Sequence, residues 1–304
     1  MRFTDCTERE IQNALKGEGL ICNIGPFDVH LRGNAEGFAE TLSMLYADTP
    51  IHLNPDQHFS NFSVSMQSPK GIRRYIRPQV FFEADCETPF EPFPLSHCFP
   101  HFEWGVNWLI ATQAHQYLMF HAAVLERHGK ALILPAEPGS GKSTLCAALM
   151  LGGWRLLSDE FGLLRPETGL LEPVPRPIPL KNESIDVIRD YSSEAVLGPT
   201  YPNTRKGDVA HLRPTPTKFE SGEGAAPPGW VVFPRYLAGA EDILHPFAKG
   251  RAFLQLSGNA FNYRLQGARG FEATTEVIDN CSTWYLEFSD LARAVELLQE
   301  MTDQ

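Results

Sequence analysis

An apolar run of the roughly 18 residues that a membrane-spanning helix needs is missing from this chain. The amino terminus, MRFTDCTEREIQ, is polar and acidic, without the basic start and apolar centre of a secretory signal. Both absences point to the cytoplasm and away from a membrane partner. Positive charge is in deficit: 26 Lys and Arg face 37 Asp and Glu, for a net charge of −11, and the cations are scattered. No basic stripe exists to neutralise a nucleic-acid backbone, so nucleic acid is excluded and any polyanion must be held locally. Cysteine is sparse, at positions 6, 22, 86, 98, 146 and 281, with no CxxC pair and no zinc-like spacing. These read as reduced thiols rather than a disulfide framework. Internal repeats are absent as well. Disorder is not the expectation, because 43% hydrophobic residues over 304 positions supply a core for one large domain or two modest ones.

Residues 1–100 carry short apolar runs, FDVHLRG (27–33), FSVSM (62–66) and QVFFEAD (79–85), between polar turns, which is a strand pattern. SPKGIRRYIRP gathers Lys70, Arg73, Arg74 and Arg77 into a solvated hairpin face or a local anion patch. The Pro-rich TPFEPFPLSHCFP (88–100) reads as a seam between a strand-rich N-terminal domain, 1–100, and a larger domain, 101–304. FEWGVNWLIATQAHQYLMF then reads as a mostly buried helix, and NESIDVIRDY as a short capped one. Residues 198–229 look loop-rich, with TKFESGEGAAPPGW (217–230) a candidate lid. WVVFPRY reads as a strand. SDLARAVELLQEM reads as a terminal helix with Leu291, Val295 and Leu298 on one stripe behind a Ser289 cap. The fold class expected is α/β, or mixed α+β: a mixed sheet with helices packed on it and a smaller, mostly β front domain.

The stretch with most chemistry is ALILPAEPGSGKSTLCAALM, in which an apolar strand, a glycine loop and a helix-forming run follow one another. Gly139 and Gly141 let the backbone curl with its N–H groups inward, and the helix start adds its positive end to the same anion site. This is the phosphate-binding-loop (Walker A) pattern, so Pro138, Gly139, Ser140, Gly141, Lys142, Ser143 and Thr144 are the candidate ATP-binding stretch. Lys142 is placed to reach the β- and γ-phosphates and Ser143 to hold Mg²⁺, with Thr144 a bystander to the metal. One departure is that Ala136, after Pro135, stands where the usual first glycine does.

After the helix, GGWRLLSDEFGLLR makes an apolar strand interrupted by Ser158, Asp159 and Glu160. Acids at the end of a strand beside such a loop can hold the metal or take the proton of an incoming hydroxyl, although a polar hairpin turn has the same letters. His121 lies on the apolar strand LMFHAAVL, where a single histidine is most often a satisfied core residue. Taken together, FHAAVL, AEPGSGKST and GGWRLLSDE resemble the catalytic core of the HPr kinase/phosphorylase family over about residues 118–164, in order and spacing. The resemblance implies that family's C-terminal kinase core, with Asp159 as the base that activates an acceptor serine, His121 assisting it, and Glu160 by the metal. Glu160 stands where the family usually has Asp. The family's downstream glycine-rich signature and its N-terminal domain are not found. The chain therefore looks most like the divergent HPr-kinase-related kinases found beside small peptide-binding chaperones and peptide-modifying enzymes.

The expected activity is ATP- and Mg²⁺-dependent phosphoryl transfer to a hydroxyl of a peptide, protein or small molecule. A small chaperone as partner, a homo-oligomer and the reverse phosphorylase reaction are what the resemblance adds. Phosphoryl transfer also wants positive charge around the moving group, for which Arg176, Lys181, Arg205 and Arg213 are candidates, along with Lys206 and His211. A carboxykinase-like enzyme lacks its His and Asp metal cluster here. The rival from another class is a nucleotide-binding regulator or scaffold of a peptide-modification system, in which no carboxylate is needed at the acceptor position.

Overall fold

The structure is a computed structural model that describes residues 1–69, 76–137, 139–215 and 224–303. Lys70, Arg73 and Arg74 of the basic patch, Pro138 of the loop and much of the expected lid lie outside the described residues. The front of the chain forms α1 Glu8–Lys16, β1 Leu20–Ile24, β2 Phe27–Gly33, α2 Phe38–Leu45, β3 Ile51–His52, β4 Phe62–Gln67, β5 Gln79–Ala84, β6 Phe93–Pro94 and α3 Cys98–Gln113. Then come β7 Leu118–Arg127, β8 Lys130–Pro135, α4 Lys142–Leu151, β9 Arg155–Ser158, β10 Phe161–Arg165, β11 Leu170–Glu172, β12 Ile178–Lys181 and α5 Glu183–Tyr191. The last part holds β13 Tyr201–Thr204, β14 Gly207–Leu212, β15 Pro228–Tyr236, β16 Ile243–Pro246, α6 Lys249–Gly258, α7 Tyr263–Asn280, β17 Ser282–Phe288 and α8 Leu291–Thr302. The chain is thus mixed α+β with mixed sheets, and no described helix is long and apolar enough to cross a membrane.

Two compact units form, one from Met1–Gln113, Pro179–Ile185 and Val196–Arg213, the other from Ala114–Ile178, Asp186–Ala195 and Pro214–Gln304. The first unit is built on a sheet of order β3-β1-β2-β4-β5-β6, in which the three apolar runs of the front sequence are β2, β4 and β5. Alternation explains the burial: Phe27, Val29 and Leu31 of β2 face inward between polar neighbours. The Pro-rich stretch supplies β6, an edge strand as proline requires, and the first turn of α3. Helices α1, α2 and α3 pack on this unit, with Phe38, Tyr46, Phe99 and Phe102 in an edge-to-face aromatic core. Glu103, buried on α3, accepts a hydrogen bond from the Tyr46 hydroxyl at 2.7 Å.

Residues 201–212, within the stretch that looks loop-rich, form regular structure. β13 and β14 form a hairpin that joins β12 in a three-stranded sheet. Its turn is tied by polar side chains: Asn203 N–H donates to the Asp208 carboxylate at 2.9 Å, and Asp208 N–H to Asn182 Oδ1 at 3.1 Å. The second tie reaches a partner far along the chain, so local composition did not announce it. The α3 helix also stops earlier than the apolar pattern suggests, at Gln113, because Leu118 and Met119 are drawn into β7.

The second unit is built on an eight-stranded sheet of order β11-β10-β7-β8-β15-β17-β16, with β9 pairing further along β7. Strands β8, β15 and β17 are parallel neighbours, flanked by antiparallel ones. One face of the sheet, with Phe120, Val124, Ile133, Val231 and Phe233, is covered by Ala252 and Leu256 of α6 and Ala273, Val277 and Ile278 of α7. Helix α4 packs against β7 and α8, and α8 against β17. The N-cap of α8 is Asp290, whose carboxylate accepts from Arg293 N–H at 2.9 Å, rather than Ser289. Ser289 instead donates its hydroxyl to the Ala240 carbonyl.

Candidate functional site

The loop after β8 starts from one of the most buried positions in the second unit. β8 lies between β7 and β15, with Ala131 to Leu134 fully buried, and its last residue pairs with Ala122. Ala136 is 3% exposed, so the methyl group at the loop's first position is packed rather than tolerated in solvent. Gly139 and Gly141 then take left-handed φ of 88° and 83°. Gly141 has a second reason to lack a side chain: a Cβ there would stand 3.0 Å from both Tyr236 Cβ and Phe288 Cζ. The Ser140 carbonyl accepts from Tyr236 N–H at 2.9 Å, so the ends of β15 and β17 brace the loop from outside. Gly141 caps α4 with no side-chain bond, which leaves the first N–H groups of the helix to an anion.

The acidic pair sits where one edge of β7 changes partner. β9 pairs Ser158 with Val124 and β10 pairs Phe161 with His121, so Asp159 and Glu160 occupy the break between two strands on the same neighbour. Ser158 makes the break, its Oγ accepting from Phe161 N–H at 2.9 Å and Glu160 N–H at 3.3 Å. This places Asp159, 5% exposed, against the first turn of α4. Lys142 donates to the Asp159 carbonyl and has its Nζ 3.4 Å from Oδ1. Ser143 donates its hydroxyl to Asp159 Oδ2 at 3.0 Å. His121 and Glu160 stand together, Nε2 to Oε1 3.5 Å, with side chains 26% and 29% exposed.

The electrostatics follow from burial and these neighbours. Burial by itself acts to lower the Lys142 ammonium, but Asp159 first and Glu160 next outweigh it, and its pKa is raised. Lys142 is therefore charged at every physiological pH. One helical turn on, Cys146 has its thiol pushed well above the ordinary range, by burial foremost and by the Asp159 carboxylate second. Cys146 therefore stays neutral beside the carboxylate.

Among the described residues no three His, Cys, Asp or Glu side chains form a cluster that could hold a metal alone. The donors present, the Ser143 hydroxyl and the Asp159 and Glu160 carboxylates, are hard oxygens. They suit Mg²⁺, which keeps water and takes phosphate oxygens rather than an all-protein cage.

The sequence candidates thus divide. Gly139, Ser140, Gly141, Lys142, Ser143, Asp159, Glu160 and His121 fall in the second unit around the loop and the β9–β10 break. His121, expected to tune Asp159, has its Nε2 3.5 Å from Glu160 Oε1. Arg176 is buried in the same unit. Lys181, Arg205 and Arg213 belong to the first unit and its own packing: Lys181 N–H meets Ser184 Oγ at the start of α5, the Arg205 guanidinium lies 5.1 Å from the Phe93 ring centre, and Arg213 N–H bonds the Val196 carbonyl. Lys206 lies over Trp104, and buried His211 meets Phe99 edge-on.

Three neighbours of the site do not stand out as such in the sequence. Cys146 follows Lys142 by four residues and so shares its helix face, which the spacing could have shown. Phe261 has its ring centre 5.3 Å from that of His121, and Asn262 ties the start of α7 to the main chain of β7. Both belong to an Asn-punctuated turn whose return to β7 is a tertiary event. No protein-family model matches the chain, and no curated protein matches it.

Proposed function

We propose that the chain is an ATP-dependent phosphotransferase that passes the γ-phosphoryl group to a hydroxyl, best a serine of a peptide or protein. The observation that carries this reading is the convergence of Lys142 and Ser143, from the first turn of α4, on one buried carboxylate, Asp159, at 3.4 and 3.0 Å. A carboxylate beside the loop Ser can hold Mg²⁺ in any nucleotide site, but in-line transfer also needs a base beside the phosphates, and the successive acids Asp159 and Glu160 supply one for each role. The resemblance of FHAAVL, AEPGSGKST and GGWRLLSDE to the HPr kinase/phosphorylase core supports the same reading, including a kinase core of that type in the second unit.

In this scheme residues 139–144 bind the phosphates, with Lys142 turning from Asp159 to the β- and γ-phosphates. Ser143 and an acid from Asp159 and Glu160 would hold Mg²⁺, which would supply positive charge against the phosphate oxygens. Asp159, released from Lys142, takes the proton of the acceptor hydroxyl as its oxygen bonds to the γ-phosphorus and the bond to the ADP oxygen breaks. The His121–Glu160 pair lies at the open side, where the acceptor enters, and orients the acid. The reverse reaction, inorganic phosphate attacking the phosphoserine, uses the same groups. A small peptide-binding chaperone and a second copy of the chain are the partners that the resemblance suggests.

The test is γ-labelled ATP with Mg²⁺ and an extract of candidate peptides and metabolites, using wild type and Asp159→Asn. Label on a serine product with wild type alone is the expected result, and the variant should still bind nucleotide. Transfer by Asp159→Asn at the wild-type rate would sink the assignment of the base. Nucleotide binding without any turnover would move the reading to a regulator or scaffold.

A further inference from the structure

Between α6 and α7 the chain returns to β7. His121 N–H donates to the Asn259 carbonyl at 2.8 Å, and Phe261 N–H to the Met119 carbonyl at 2.9 Å. Asn262, 2% exposed, clamps this return: its Oδ1 accepts from Met119 N–H at 3.0 Å and its Nδ2 donates to the Tyr117 carbonyl at 2.8 Å. The backbone of the tip is therefore held, yet its apolar side chains are not covered. Leu254, Phe261 and Leu265 are 70%, 46% and 73% exposed. With Tyr263 and Arg264 they line one groove of about 400 Å³. Single exposed leucines are ordinary, but three large apolar residues on a clamped tip make a patch of the kind that binds something.

Phe261, which lines the groove, also reaches the candidate site. The Phe261 ring centre lies 5.3 Å from that of His121 and 5.0 Å from that of Phe161. His121 in turn stands against Glu160. One side of Phe261 thus touches the His121–Glu160 side of the site and another forms a wall of the groove.

We propose that this groove docks the acceptor, and that the acceptor is a polypeptide segment with a bulky aliphatic or aromatic residue near its hydroxyl residue. The proposal rests on the phosphotransferase reading above. A small alcohol needs only the Asp159 carboxylate and the phosphate loop, whereas an apolar groove that shares Phe261 with the His121–Glu160 side of the site takes a side chain like that of leucine or phenylalanine. Arg264 adds a positive wall in a chain of net charge −11, which suits an acidic residue in the same segment.

The experiment uses the full chain and the combined variant Leu254→Ser, Leu265→Ser, which alters only exposed side chains. Short peptides, each with one central serine, are made with flanks of Leu and Phe or of Gly and Asn. Each set is incubated with ATP and Mg²⁺, and in parallel is captured on immobilised protein. Wild type should favour the apolar flanks by about tenfold in kcat/KM, through KM, and the combined variant should lose that preference while its nucleotide affinity holds. Capture reads the groove even if no phosphate moves: apolar-flanked peptides held by wild type and not by the variant would keep the groove while the phosphotransferase reading fell. Equal use of both sets, the same preference in the variant, or no capture of either set overturns the proposal. So does a wild type that sediments as a dimer beside a monomeric variant, because the occupant would then be a second copy of this chain.

Discussion

Gly141 shows how much one position in the loop must satisfy. It takes a left-handed φ, and its missing Cβ leaves room for Tyr236 and Phe288. Gly139 shares the φ but has open space around it. Gly141→Ala should therefore cost more than Gly139→Ala. For each, the left-handed backbone costs about 1–2 kcal/mol, and at Gly141 the displacement of the Phe288 ring and of Tyr236 Cβ adds to it. Thermal unfolding of the two variants, with nucleotide titration alongside, checks the order; equal losses would mean that the bracing by β15 and β17 is unimportant. At this scale the sequence is most readable. The letters GSGKS identify the loop, and the acids after the next strand follow from its interruption. The partner of His121 was not readable, because Glu160 comes beside it only through the pairing of Phe161 with His121. Nor was the neutral thiol of Cys146, whose raised pKa comes from burial.

Elements carry the next layer. The β7–β8 hairpin, α4, β15 and α8 all appear in the sequence as apolar runs or stripes, and all form. The apolar packing of α6 and α7 on the sheet is joined by a less visible polar tie, in which the side-chain amides of Asn262 and Gln266 bond the main chain at the start of β7. Asn262→Ala would leave the Met119 N–H and the Tyr117 carbonyl with one fewer buried partner and should destabilise the chain by about 2 kcal/mol. Denaturant unfolding measures this, and a loss within error of wild type would show that the clamp is dispensable. Asn262→Asp keeps the acceptor for Met119 N–H and loses the donor to Tyr117, so it should fall between the two. The same variants loosen the segment bonded to His121, and on the function proposed above, phosphoryl transfer should fall even at temperatures where the variants stay folded.

At the scale of the whole molecule, the chain does not fold in the order in which it is read. The first unit takes Pro179–Ile185 and Val196–Arg213 from beyond the loop. Within that unit Leu45 lies against Gly198, and Phe99 against His211. A fragment of residues 1–113 would leave these apolar faces bare, and circular dichroism should show it melting without a cooperative transition; a sharp melt would show that the later segments are accessory. The sequence by itself determined what depends on neighbours along the chain: alternating and helical apolar patterns, the curled glycine loop, and the order of strand, loop, helix and acids. Only the tertiary structure decided which distant segments complete each sheet, that Asp159 meets Lys142 and Ser143, and that Phe261 comes to His121. The reason is physical: local patterns follow from short-range sterics and periodicity, whereas these meetings are chosen by burial and hydrogen-bond satisfaction over the whole chain, which no window of sequence contains.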